Sequence, residues 1–401
     1  MKKEEIIRCC DKTIEWCFYA LLVMIAFSTS LVEIASSVMI IAWVVKKASD
    51  RDLSFLRSTP VKVLIAYFIW VMLSCVNSEY SKESFRGVFK VAEYSVLFII
   101  SATMMVDKKS VKKFFYVIAA SSIVICLNGF VQYFSGTGVI RQRELVAGDY
   151  LRRISSSFVH PNDYGVYLLV VAVISVSYVL SRGSKIREKA AAGVAAVLSI
   201  VSLYLTKSRG AWLSFTGAFL VFGAIKSKKI LAAFLAILLV IFMMIPYAAQ
   251  ERIFSLTDIE SGTTWERLML WKGTISMIMV HPVLGFGINT YSRNFPKYKP
   301  AEYPDVRYTH NSYLHMASEV GIVGALLFLM FLVTVLLSSL KNLLALTPGR
   351  RKDLTAGLFA GLVGFSMCSV VDTHLYSVNL AVFFHILLGF CYALSCYSDE
   401  E

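Results

Sequence analysis

Arginines where a membrane-embedded chain should avoid them, and histidines near them, are the residues of this sequence best suited to chemistry. Arg209 stands in the turn Lys207-Ser208-Arg209-Gly210, between two apolar runs. A turn so short holds its guanidinium at the membrane boundary, and a planar fork of donors suits a phosphate or pyrophosphate. Arg267 lies in Thr263 to Trp271, which reads as the capped start of an amphipathic helix, threonine ahead of acidic and apolar residues. His310 follows the long polar segment beyond it, and a neutral imidazole there can take a proton. Asp372, near His374 at the end of an apolar run, is a carboxylate that could orient an imidazole or bind a sugar. His160, His281, His315 and His374 read more simply as hydrogen-bonded interface histidines, and only His385 falls well inside a span. No two histidines have the i, i+4 spacing of a two-histidine zinc helix.

The scaffold that carries these residues can be read from composition. Of 401 residues 57% are hydrophobic and 17% charged, against about 25% charged in a typical soluble domain. That excludes a soluble globular protein. The apolar residues fall into about twelve runs: 14–29, 31–45, 61–77, 85–106, 114–134, 161–181, 189–206, 210–225, 229–249, 318–340, 354–374 and 377–396. Most approach the ~20 residues a helix needs to span a bilayer core. The expected fold is an all-α polytopic membrane protein of about twelve transmembrane helices, one integral domain over residues 1–401. Basic flanks on both sides of residues 14–45 favour a hairpin over one long helix, and the first run has no small-residue cleavage site after it. Eight cysteines without a Cys-x-x-Cys pair argue against a disulfide framework or structural zinc.

Lysine and arginine outnumber acidic residues 40 to 27, a net charge of +13, read here as topology rather than nucleic-acid binding. Alternate loops carry Lys108 to Lys113, Arg182 to Lys189, Lys226 to Lys229 and Lys341 to Lys352, which places both termini in the cytoplasm. The opposite side then holds a middle loop near 135–160, the Arg209 turn, and a segment 250–317 long enough for a small helical lobe, a lid over a cavity. Arg141, Arg143, Arg152, Arg153, Arg252, Arg293 and Arg307 share that side, where short loops should be poor in arginine. Headgroup snorkelling, or pairing with Glu144, Asp149, Glu251, Glu260 and Glu266, is the plain account of any single one. Lys90 and Glu93, three apart in the fourth run, read as a pair on one helical face rather than a transport relay. Metal-dependent transfer from a lipid phosphate would call for clustered carboxylates in the first outer loop. The turn at Ser28-Thr29-Ser30 has none, so arginines in place of a cation are the economical reading.

Four motifs in order carry a resemblance: Ser208-Arg209-Gly210-Ala211-Trp212, Glu266-Arg267-Leu268-Met269-Leu270-Trp271, His281-Pro282-Val283-Leu284-Gly285-Phe286-Gly287 and Thr309-His310-Asn311-Ser312-Tyr313-Leu314. Together with His160-Pro161-Asn162-Asp163 they resemble the bacterial O-antigen ligase and polymerase superfamily, over about residues 150–375. The resemblance implies a GT-C-type fold and an inverting, metal-independent glycosyltransferase of the bacterial inner membrane, working without a cofactor in lipopolysaccharide biosynthesis. Its donor would be a glycan on undecaprenyl pyrophosphate, and its acceptor a sugar hydroxyl of lipid A core on the periplasmic face. Carried over by position, Arg209 and Arg267 would hold the donor pyrophosphate, and His310 would activate or position the acceptor hydroxyl. Arg152, Arg153, His160, Asn311 and Asp372 are further candidate substrate-binding residues. The motif forms look more like a ligase than a polymerase. Transfer to a protein acceptor, and a lipid-linked glycan transporter with pseudo-symmetric halves, are the remaining alternatives.

Overall fold

The computed structural model describes residues 3–104, 107–148, 151–244, 262–300 and 308–396. Residues Asp149, Glu251, Arg252, Glu260 and Arg307 lie outside that set. The apolar runs form α1 (Lys3–Met24), α2 (Thr29–Asp50), α3 (Thr59–Ser74), α4 (Ser81–Ala102), α5 (Lys108–Ser135), α6 (Pro161–Val179), α7 (Ile186–Leu205), α8 (Arg209–Lys226) and α9 (Lys228–Met244). Then come α10 (Gly262–Val280), the single-turn α11 (Tyr291–Asn294), α12 (Ser312–Ala345), α13 (Arg350–Cys368) and α14 (Val378–Cys396). The first two runs are a hairpin, broken before Ser28, whose hydroxyl caps α2 by accepting from Leu31 N.

Among the described residues six helices, α2, α5, α6, α7, α12 and α14, are long and apolar enough to cross a membrane, so the chain is an all-α polytopic membrane protein. Others miss that measure for local reasons: α3 has only 16 residues, and α1 carries Glu4, Glu5, Arg8, Asp11, Lys12 and Glu15. Burial separates the core from the rim. The apolar windows of α6 and α14 are 78% and 89% buried against 22% for α2, so the first two are the central helices. Around them α6 packs on α7 and α13, α14 on α4, α8 on α13, and α3 on α12.

Gly321 interrupts α12 with φ 73° and ψ 171°. A break inside an apolar helix strands backbone groups, each costing several kcal/mol if left bare in lipid. Here the His281-to-Gly287 loop repairs it: Phe286 N and Gly287 N donate to Ser318 O and Glu319 O at 3.1 and 2.8 Å, and Ile322 N donates to Pro282 O at 2.8 Å. Trp70 Nε1 of α3 satisfies Val320 O at 3.0 Å. A side chain at 321 would meet Val283 O at 1.8 Å, which reserves the position for glycine.

The middle loop contains a hairpin unannounced by the sequence, β1 (Val146–Gly148) antiparallel to β2 (Leu151–Arg153). Two amides of α5 fasten the serines that come directly after β2. Gln132 Oε1 accepts from Ser155 N and Ser156 N at 2.9 and 2.8 Å, and Asn128 Nδ2 donates to Ser156 Oγ at 2.9 Å. The loop is thereby fixed over the ends of α5 and α6.

Candidate active site

Asp372, in the turn between α13 and α14, joins segments that are far apart in the chain. Its Oδ1 lies 2.9 Å from His310 Nδ1 and accepts from Thr373 N at 2.8 Å. Its Oδ2 accepts from Asn162 Nδ2 at 2.7 Å and faces the Arg267 guanidinium at 4.0 Å. Asn162 Oδ1 in turn accepts from Arg153 at 2.8 Å, and Arg153 Nε donates to Thr206 O at 2.9 Å, just ahead of Arg209. The result is a continuous chain of contacts, Arg153 to Asn162 to Asp372 to His310, with Arg267 beside it.

A carboxylate only accepts, so in the neutral form of His310 the proton sits on Nδ1 and Nε2 keeps its lone pair. The imidazole side chain is 44% exposed and the Asp372 carboxylate 13%, so a substrate can reach the ring while its partner is shielded. Burial works against charge on Asp372, but the His310 hydrogen bond, the positive potential of His374 and His310, and the Thr373 N–H outweigh it and hold its pKa well below the usual carboxylate range. His310 has φ 52°, a left-handed conformation that is uncommon for a residue with a side chain and tends to occur at functional sites. Its neighbours impose it: Trp271 Nε1 of α10 holds Thr309 O at 3.1 Å, and Ser312 N and Oγ hold Asp372 O at 3.1 and 3.0 Å.

Arg209 is the first residue of α8 and is exposed. It and Arg267 both act electrostatically on Arg153, whose pKa is lowered first by burial, then by Arg267 and Arg209 against the opposing pull of Asp372. The guanidiniums of Arg153, Arg209 and Arg267 and the carboxylate of Asp372 act on one another across this region. Asp163, the nearby second carboxylate, is taken up by buried His374 at 3.1 Å. The N-terminus of α8 adds its own partial positive charge. Gly210 permits this assembly, since a Cβ there would stand 2.7 Å from Val371, the neighbour of Asp372. Trp212 stacks on Tyr204 and donates to Leu203 O at 2.9 Å, locking α8 to α7.

The structure therefore brings together Arg153, Arg209, Arg267, His310 and Asp372. Arg152 is exposed beside Arg153, and His160 is exposed at the N-cap of α6. Asn311 is an N-cap, its side-chain carbonyl accepting from Tyr313 N and Leu314 N at 3.0 Å each. Asp372 orients His310 rather than His374. His315 is buried 3.5 Å from Glu319, and His281 packs its ring edge against Phe286. Lys90 pairs with Glu93 at 3.2 Å and also with Glu33 at 2.8 Å. Sequence reasoning missed the part Asn162 plays, although its motif was in view, because its partner is 210 residues away.

The arrangement can bind an anion and remove a proton from a nucleophile beside it. A family model described as O-antigen ligase matches residues 194–329, a stretch that holds Arg209, Arg267 and His310. No curated protein matches the chain.

Proposed function

We propose that this chain, a member of the O-antigen ligase/polymerase superfamily, is the ligase: a GT-C-type, inverting, metal-independent glycosyltransferase that moves a glycan from undecaprenyl pyrophosphate to a sugar hydroxyl of lipid A core. The observation that carries the reading is the His310–Asp372 pair at 2.9 Å, with Arg267 4.0 Å from the carboxylate and Arg153 joined to it through Asn162. Arg209 and Arg267 hold the donor pyrophosphate, and Arg153 adds a third positive charge. His310 Nε2 takes the acceptor proton while the acceptor oxygen bonds to the anomeric carbon. The anomeric carbon–oxygen bond breaks in the same displacement, and its electron pair leaves with the pyrophosphate, inverting the centre. Asp372 stabilises the imidazolium that forms. Pyrophosphate is already a good leaving group, so charge stabilisation and a base, worth ~10² to 10⁴-fold, are the two contributions the protein supplies.

For the membrane arrangement, we read twelve spans, α1–α9 and α12–α14, in the bacterial inner membrane. Both termini are cytoplasmic, and residues 250–317 form a periplasmic lobe within a single domain. Supporting it, Lys185, Lys226, Lys228, Arg350 and Arg351 all lie at helix ends or loops remote in each helix from the Arg209–His310 site. The same chemistry on a second lipid-linked repeat would make the enzyme a polymerase, and genetics separates the two. Deleting a ligase strands long glycans on the carrier lipid, whereas deleting a polymerase leaves lipid A core capped by a single repeat. Alanine at Arg209, Arg267 or His310 should abolish transfer with the amount of membrane protein unchanged. Full activity of His310→Ala would overturn the base.

A further inference from the structure

A cavity of about 670 Å³, within the ~300–1,000 Å³ range of ligand sites, lies between α3, α4, α12 and α14. Leu64, Phe89, Val91, Phe328 and Val378 give it apolar walls. Its lining includes Tyr308, two residues before His310, and Leu375, three after Asp372. No residue of β2, α6 or α8 lines it, so Arg153 and Arg209 stand outside it. In-line displacement requires the nucleophile on the face opposite the leaving group. With the leaving pyrophosphate on the arginines, a cavity that none of Arg153, Arg209 and Arg267 lines is left for the acceptor.

Its charged lining fits an anionic lipid. Arg86, near the start of α4, lines the cavity, is exposed, and makes no ion pair among the described residues. Lys90, one turn further on and also in the lining, is already engaged by Glu33 and Glu93. Phe85 and Phe89, exposed and in edge contact at 4.7 Å, extend the apolar wall beside Arg86. An uncompensated guanidinium above an apolar slot matches phosphate above acyl chains.

We infer that this cavity seats the acylated, phosphorylated base of the acceptor glycolipid, with Arg86 on a phosphate. The inference rests on the ligase reading, and its test does not require turnover. The full-length protein in vesicles, with a photo-crosslinking benzoylphenylalanine in place of Phe89, is offered a diphosphorylated acyl-glucosamine disaccharide, a polyprenyl pyrophosphate and phosphatidylglycerol at equal mole fraction. The disaccharide lipid should be captured preferentially, and Arg86→Ala should reduce that capture while Arg86→Lys retains it. Preferential capture of the polyprenyl pyrophosphate would give the cavity to the donor, and equal capture of all three would make it an annular lipid surface; either overturns the inference. In the transfer assay Arg86→Ala should raise KM for the acceptor about tenfold, with kcat and donor KM unchanged. An unaltered acceptor KM would likewise refute it. A wild-type protein that polymerises instead of ligating would remove the ligase reading, while the crosslink would still identify the occupant.

Discussion

Asp372 has four jobs at once: it sets the His310 tautomer, caps its own turn through Thr373, anchors Asn162 and faces Arg267. Asp372→Asn keeps the shape but turns an acceptor into a group that can donate to Nδ1, which would protonate Nε2 and remove the lone pair. Transfer should fall by ~10² to 10⁴-fold, with donor binding less affected. Initial rates and donor binding measured on the same preparation check this. Arg209 could be picked out of the sequence because it is a charged residue in a short break between apolar runs, and Arg267 and His310 because they stand in motifs of the long segment 250–317. Arg153 could not be told from Arg152 without the hairpin, whose alternation sends adjacent side chains to opposite faces. A pair of three-residue strands is too short to announce itself by periodicity.

The helices themselves were readable from hydropathy, although α12 begins at Ser312, six residues ahead of the apolar run at 318–340. The interruption at Gly321 was not, because Val320 to Ala325 has no polar side chain to mark it, and the loop that repairs it lies more than thirty residues upstream. Trp70→Phe removes the donor to Val320 O while keeping most of the ring packing. It should cost about 1–3 kcal/mol, read as a lower unfolding midpoint in detergent, with the KM values little changed. Gly210→Ala acts differently. Its methyl group pushes on Val371 and displaces the Asp372 turn, and a displacement of about 1 Å near the chemistry can cost ~10²-fold in rate. Activity should drop with thermal stability nearly intact; a loss of both together would mean the glycine serves only helix packing.

Across the whole molecule, the positive charge at the site comes from arginines of three different elements, β2, α8 and α10. If they replace a divalent ion, transfer should be undiminished in excess chelator. A collapse that magnesium or calcium restores would place a cation in the mechanism. The chain-wide distribution has a practical corollary for protein engineering. The stretch that the family model matches, residues 194–329, contains Arg209, Arg267 and His310 but not Arg153, Asn162 or Asp372. A chimaera that imports only this block would inherit two of the three arginines and the imidazole, yet rely on its host for Arg153, for the acid that orients the ring and for the amide behind it. Swaps between homologous enzymes should therefore succeed or fail according to whether both flanking pieces travel together with the middle.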